Sequence, residues 1–146
     1  MRLDRRRTTV EARCSGWAVD ARLRETKTKE PASVLAGLIG KSSGGEAKHL
    51  AAACEKGDVA AQRILQETAE DLAFGLSHVV HLFHPEIIIL GGGLSGVGEP
   101  LRAGVERELR RFVMEAFASG PRIVVTALKE DAVPMGALEL ARRFNK

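Results

Sequence analysis

The stretch Glu86–Gly98, EIIILGGGLSGVG, decides the fold of this chain. Its apolar run, residues 87–90, has no polar alternation, and this predicts a short β-strand that is buried on both faces. The run ends in Gly91, Gly92 and Gly93, and consecutive glycines suit a tight turn or a close approach to the backbone. Open α/β sheets bind ligands at the carboxyl ends of their strands. We therefore look for function first at this glycine turn.

A long helix precedes the strand. Apolar residues recur every three or four positions between Val59 and Phe83, and Asp58 is suited to cap the helix. Toward the end of this helix apolar residues occupy every face. We therefore expect its second half to be deeply buried.

The region upstream is less regular. Helical spacing runs from Val10 to Ala21, and Gly16 within it suggests a point of close packing. The charged segment Glu25–Ser33, which contains a proline, is typical of a linker or an exposed turn. A further short helix should end at Gly57, a favourable residue after a helix.

Beyond the glycine turn, Pro100 suits the first turn of a helix. Ile123–Ala127 predicts a second strand, and Pro134–Phe144 predicts a final helix. The order gives an α/β fold with one parallel βαβ unit and several packed helices. Two strands are too few for a self-sufficient sheet. Either another chain supplies strands or the sequence is part of a larger domain, and we favour the second.

Composition limits the class of protein. With 146 residues, 45% hydrophobic and 28% charged, the chain should form one globular unit. The net charge of +3 comes partly from the amino-terminal arginines, and no nucleic-acid-binding motif accompanies them. Cys14 and Cys54 are isolated, so a reducing compartment is expected. No run is long and apolar enough to span a membrane. We expect a soluble cytoplasmic protein with no membrane or nucleic-acid partner.

The glycines allow three interpretations. Gly91, Gly93 and Gly96 match the spacing of a dinucleotide-binding fingerprint. However, Gly98 and Glu99 delay the following helix, and Glu99 would place a negative charge beside the pyrophosphate. A purely structural turn is the second interpretation. We favour the third, a mononucleotide whose adenosine lies against the glycine backbone.

Two other candidate sites are weaker. His78, His81 and His84 fall at intervals of three, and the first two could ligate a metal. Packed or hydrogen-bonded histidines explain the apolar setting better, so no metal site is predicted. From sequence alone, Glu11 is a solvent-facing helix residue.

Three segments together resemble a known family. Residues 81–102 (HLFHPEIIILGGGLSGVGEPLR), residues 10–19 (VEARCSGWAV) and the helix containing GALELA are similar to the carboxyl-terminal half of the ROK family. This family comprises bacterial sugar kinases, including glucokinases, and related repressors. The resemblance implies a partial actin-like ATPase (ribonuclease H-like) domain, in a protein whose two domains close over ATP and a sugar.

The resemblance also implies site residues. Gly91, Gly92 and Gly93 match the adenosine motif, and Glu11 matches a glutamate that hydrogen-bonds sugar hydroxyls. ATP and Mg²⁺ are the implied cofactors, and a hexose is the implied substrate. The cysteines of the family's zinc motif are replaced by Arg2, Asp4 and Thr9, so no metal is expected. No residue matches the catalytic aspartate or the phosphate loop, so no catalytic residue is assigned.

These observations predict the following organisation. Residues 1–9 form a basic, disordered leader, and residues 10–146 form an incomplete C-terminal actin-like domain of a sugar kinase. The family role is a glucokinase-like transfer of phosphate from ATP to a hexose hydroxyl, and we expect this chain alone to be inactive. The alternatives are the sugar-sensing domain of a ROK-type repressor and a non-catalytic oligomerisation remnant. A homo-oligomer is expected.

Overall fold

The computed structural model describes residues 9–42, 44–128 and 131–144. Three 3₁₀ turns accompany seven helices and two strands in this part of the chain. The helices are α1 (Val10–Cys14), α2 (Gly16–Lys29), α3 (Val34–Ile39), α4 (Leu50–Glu55), α5 (Val59–Phe83), α6 (Glu99–Phe112) and α7 (Ala132–Phe144). The strands are β1 (Ile87–Leu90) and β2 (Arg122–Val125), and the turns are Glu46–His49, Gly93–Val97 and Glu115–Phe117.

The predicted leader falls almost wholly outside the described residues. Only its last residue, Thr9, is described, and the Thr9 hydroxyl accepts a hydrogen bond from the Ala12 N–H at 3.1 Å. Thr9 therefore caps α1, as threonine commonly does at a helix start.

The predicted βαβ unit is confirmed. β1 and β2 are parallel, with Ile87 beside Arg122 and Leu90 beside Val125, and α6 connects them. The described part of the chain is thus a mostly helical α/β structure with a two-stranded sheet.

Helices α5 and α6 form the main packing layer beneath the sheet. They approach closely where a Cβ built on Gly104 would lie 3.0 Å from the Cβ of Ala69, so a larger residue at this crossing would force the two helices slightly apart. The predicted cap of α5 is also confirmed, because the Asp58 carboxylate accepts from the Ala61 N–H at 2.9 Å. Its other oxygen accepts from the Leu35 N–H at 2.8 Å, which ties α3 to the start of α5.

The prediction that β1 is buried on both faces is wrong for this chain. Leu90 is 9% exposed, whereas Ile87 and Ile89 are 39% and 61% exposed. Successive side chains of a strand point to opposite faces, and the packed helices cover one face only. The second half of α5 is likewise only partly buried, because Leu82 and Phe83 lie in solvent at its end.

The amino-terminal region also differs from the prediction. The expected helix is broken at Ser15, whose hydroxyl accepts from the Ala18 N–H and begins α2. α2 continues to Lys29, so most of the segment predicted as a linker or an exposed turn is helical, and the turn is confined to its end at residues 31–32. The Lys29 ammonium lies 2.7 Å from the Glu25 carboxylate, an i,i+4 pair that supports the last turn. The helix therefore reaches almost to Pro31.

Helix α7 carries apolar residues but buries none of them among the described residues. As for bilayers, none of the described helices is both long and apolar enough to pass through one.

Candidate functional site

The glycine turn lies directly after β1, at the carboxyl end of the strand. Gly91, Gly92 and Gly93 are exposed, whereas Leu94 and Val97 in the following 3₁₀ turn are buried and anchor it. The Ser95 hydroxyl donates to the Gly92 carbonyl at 2.6 Å and closes the turn. The backbone of the glycines is thus held in place while remaining open to solvent.

Gly91 and Gly92 are constrained in different ways. A Cβ on Gly91 would lie 3.3 Å from the Thr126 Cγ2 atom, so Gly91 makes room for the segment after β2. Gly92 has φ +80°, a conformation that disfavours other residues, and a Cβ there would meet nothing within 4 Å. Packing therefore accounts for Gly91 and backbone conformation accounts for Gly92, while the open space beside Gly92 leaves room for a ligand to approach.

The junction of α1 and α2 lies opposite the glycine turn, across a cavity that both of them line. A Cβ built on Gly16 would lie 3.6 Å from the Leu94 backbone nitrogen, an ordinary van der Waals distance, so this junction contacts the glycine turn without requiring a glycine. Cys14 and Ser15 lie beside it on the same wall. The sequence analysis did not assign these residues to the site, because no local pattern indicates this tertiary contact.

A cavity of about 290 Å³ lies between these walls. It extends from the glycine turn along β1 and is bounded below by α5. Its polar side chains are those of Cys14, Ser15 and Ser95, and none of its described lining residues is charged. The remaining lining is apolar or glycine: Gly16, Leu72, Leu76, Ile88, Ile89, Leu90, Gly91, Gly92, Gly93, Leu94 and Leu101. Such a lining suits an uncharged ring system better than a phosphate chain.

The charge of Glu99, at the start of α6, is neutralised within its own helix. Arg102 donates to both oxygens of the Glu99 carboxylate at 2.7 Å. The hydrogen bonds and charge of Arg102 lower the pKa of Glu99, against a smaller opposing effect of burial. Gly96 lies within the 3₁₀ turn, and two residues, Val97 and Gly98, separate it from α6. The direct glycine-to-helix junction of a dinucleotide site is therefore not formed, which favours the mononucleotide interpretation.

Glu11 lies on α1, one helical turn before Cys14. Its side chain is exposed and joins none of the hydrogen bonds or ion pairs formed within the described residues. It is not part of the cavity wall, although Cys14 is. The structure thus places Glu11 near the site without an observed role.

The three histidines are not gathered around a common point. The Nδ1 atom of His78 lies 2.9 Å from the Phe74 carbonyl, and the Nε2 atom of His81 accepts from the Met114 N–H at 3.1 Å. The His84 ring stacks on Phe117 with 4.7 Å between the centroids. Across the described residues no cluster of histidine, cysteine and acidic side chains could hold a metal.

Comparisons with known proteins agree with this fold. The ROK family pattern matches residues 6–144. Glucokinase of Thermotoga maritima is 33% identical over 136 residues, which is 93% of this chain and 43% of that protein. The structure of a ROK family glucokinase from Streptomyces griseus, in complex with glucose and AMPPNP, superposes with a TM-score of 0.75 and 26% identity, covering 94% of this chain and 46% of that one.

A ROK family transcriptional regulator, described as a homologue of the E. coli MLC protein, shares the fold with a TM-score of 0.67. It is 20% identical and matches over 86% of this chain and 33% of its own. The chain therefore spans less than half the length of each of these relatives. Because the family pattern matches nearly all of the sequence, the chain belongs to the ROK family.

Proposed function

We propose that this chain is the nucleotide-facing, carboxyl-terminal part of a ROK-type, glucokinase-like sugar kinase. The whole protein would transfer a phosphoryl group from ATP to a hexose hydroxyl. The observation that best supports this proposal is the exposed glycine backbone of Gly91–Gly93 beside a mostly apolar cavity. The glucokinase that superposes on 94% of this chain binds glucose and AMPPNP.

The cavity fits the adenosine part of ATP. Gly92 leaves its open side free of any Cβ, so a flat ring can lie directly against the backbone. Leu72, Leu76 and Leu94 would contact the ring, and the hydroxyl of Ser15 is available to a ribose. Glu11, whose carboxylate is exposed near this wall, would hydrogen-bond sugar hydroxyls.

The same lining does not fit Mg²⁺ or the terminal phosphates. Phosphoryl transfer requires a base beside the attacking hydroxyl, a phosphate cradle and oxygen ligands for the metal. No acidic or basic side chain lines the described cavity. We therefore expect this chain alone to hold the nucleoside and to leave the phosphates unbound.

A pair of glycine substitutions tests the nucleotide site. Gly92→Ala should weaken AMPPNP binding, measured by titration calorimetry, because alanine disfavours φ +80° and its methyl group points to the open side. Gly96→Ala is the matched control, since this glycine lies on the same turn with open space and without a left-handed φ. Equal affinity of the two variants would contradict the proposed site, provided that both unfold at similar denaturant concentrations.

Two further assays separate the competing functions. Incubation with glucose, ATP and Mg²⁺ should yield no sugar phosphate, and product formation would refute the expected inactivity. The repressor-type alternative predicts glucose binding without nucleotide binding. The AMPPNP titration therefore distinguishes a kinase fragment from a sugar-sensing domain.

A further inference from the structure

Helix α2 carries a buried carboxylate, Asp20, that the proposed function does not use. Asp20 is 8% exposed and lies one helical turn after Gly16. Its two oxygens accept hydrogen bonds from the backbone N–H groups of Gly45 at 2.9 Å and Ala47 at 2.8 Å. A buried carboxylate requires such donors in place of its hydration. Asp20 therefore fixes the backbone at the start of the turn Glu46–His49, which we call the support turn.

A second buried carboxylate fixes the same segment. Glu46, the first residue of the support turn, accepts from the Gly44 N–H at 2.8 Å and from the Arg24 guanidinium at 3.0 and 3.1 Å. Burial acts to raise the pKa of Glu46, but hydrogen bonds from backbone N–H groups and from Arg24 outweigh it and lower the pKa. The fold thus stabilises the ionised carboxylate. Because Arg24 and Asp20 both belong to α2, one helix holds the support turn at two points.

Two glycines before the support turn make these bonds possible. Gly44 has φ +115° and Gly45 has φ +69°, in the region that favours glycine. In this conformation the Gly44 N–H reaches Glu46, and the Gly45 N–H reaches Asp20. The glycines therefore present successive N–H groups of the loop to the two carboxylates.

The support turn packs against the turn Gly93–Val97, which follows the exposed glycines. Ala47 of the support turn is buried in the same apolar cluster as Leu94 and Val97. Leu94 and Val97 are the side chains that anchor the glycine turn from its buried side. A displacement of the support turn would therefore loosen the anchors of the glycine turn.

We propose that Asp20 and Glu46 are positioning residues of the nucleotide site: by fixing the support turn, they hold the glycine turn in the conformation that adenosine contacts. Neither residue lines the described cavity, so the effect is transmitted by packing. A backbone that is already ordered loses less conformational entropy when the ligand binds. This inference rests on the proposed function and adds two residues that act on the same site.

Asp20→Asn tests the positioning role. Asparagine keeps the shape of the side chain but replaces one acceptor by a donor, so one of the two buried N–H groups loses its partner. The Ser95 N–H donates to the Gly92 carbonyl at 3.0 Å within the glycine turn. Without nucleotide, hydrogen exchange of this Ser95 amide should become about fivefold faster in the variant. The affinity for AMPPNP, measured by titration calorimetry, should fall by about fivefold.

Asp58→Asn is the matched control. Asp58 is 7% exposed and also accepts from two backbone N–H groups, at 2.8 and 2.9 Å, but it joins α3 to the start of α5 and does not line the cavity. This variant should lose stability to a similar degree, while Ser95 exchange and AMPPNP affinity remain as in the natural chain. Changes of equal size in Asp20→Asn and Asp58→Asn would overturn the proposal, because loss of stability alone would then explain them.

Should Asp20→Asn fail to fold, a milder pair of variants gives the same test. Gly45→Ala and Gly57→Ala each place a methyl group in open space at a left-handed φ, of +69° and +78° respectively. The strain is similar, but only Gly45 precedes the support turn. Exchange of the Ser95 amide should therefore accelerate in Gly45→Ala and not in Gly57→Ala. Equal exchange rates in these two variants would contradict the proposal.

The positioning role and the nucleotide site fail in different ways. If the natural chain does not bind AMPPNP, the nucleotide site is wrong, and the role of Asp20 and Glu46 in binding is wrong with it. If the natural chain binds AMPPNP and Asp20→Asn binds it equally well, only the positioning role is wrong.

Discussion

The two faces of the β1–β2 sheet contain the same kinds of side chain in opposite environments. On the inner face Leu90 and Ile123 are 9% and 2% exposed, whereas on the outer face Ile87 and Ile89 are 39% and 61% exposed. The inner face packs on the layer formed by α5 and α6. An apolar strand sequence therefore predicts burial, but the elements packed around the strand determine which of its two faces is buried.

The largest predicted effect is a difference in the free energy of unfolding between two isoleucine substitutions, one on each face of the sheet. Ile123→Ala should lower the free energy of unfolding by about 3 kcal/mol, because it leaves a cavity beneath the sheet. Ile89→Ala removes the same atoms from solvent-exposed surface and should cost under about 1 kcal/mol. Urea denaturation at a protein concentration low enough to avoid association measures both. Equal losses would show that the outer face is covered in solution.

The next largest effect is expected from a buried carboxylate between α5 and α6, whose loss should lower the free energy of unfolding. Glu108 of α6 is 2% exposed and accepts from Gln66 of α5 at 2.9 Å, from Arg107 at 3.0 Å and from Arg111. Burial acts to raise its pKa, but the hydrogen bonds of Gln66, Arg111 and Arg107 outweigh it and lower the pKa below its usual value. The ionised form is therefore stabilised in the folded state.

The resulting pH dependence has a definite sign. A lowered folded-state pKa contributes stability above the unfolded value, about 4.3 for glutamate, and that contribution disappears as the pH falls through the folded-state pKa. Glu108→Gln should cost about 2 kcal/mol at neutral pH. It should also make unfolding less sensitive to acid than in the natural chain. An identical acid dependence of the two proteins would contradict this role of Glu108.

The smallest effect is expected on α7. Leu138→Ser should change the free energy of unfolding by less than about 0.5 kcal/mol, because Leu138 is 55% exposed and the helix buries none of its described side chains. Amides of α7 should also exchange faster than those of α5. A loss above 1.5 kcal/mol, or slow exchange in α7, would show that this helix packs on the chain.

The sequence allowed prediction of features that depend on local patterns. The bounds of α5, its Asp58 cap and the parallel order of β1 and β2 follow from periodicity, capping chemistry and connectivity. The exposure of Ile89 and Phe83 could not be predicted, because it depends on which layers surround them. The true end of α2 was missed because a local Glu25–Lys29 pair supports residues whose composition suggests a linker.

The candidate site shows the same division. Gly91, Gly92 and Gly93 are recognisable as consecutive glycines after an apolar run. That Gly91 accommodates Thr126, while Gly92 faces open space, emerges only from the fold. The contribution of Cys14 and Ser15 arises from tertiary contact between the α1–α2 junction and the glycine turn, which no local pattern indicates.

The most direct test of the nucleotide site is an AMPPNP titration followed by amide chemical shifts of the ¹⁵N-labelled chain. Saturable shifts should appear at Gly91–Gly93 and at Gly16 on the facing wall, and α7 should remain unperturbed. If AMPPNP produces no saturable shift at the glycine turn, or shifts only residues remote from it, the assignment of this turn as an adenosine site is wrong.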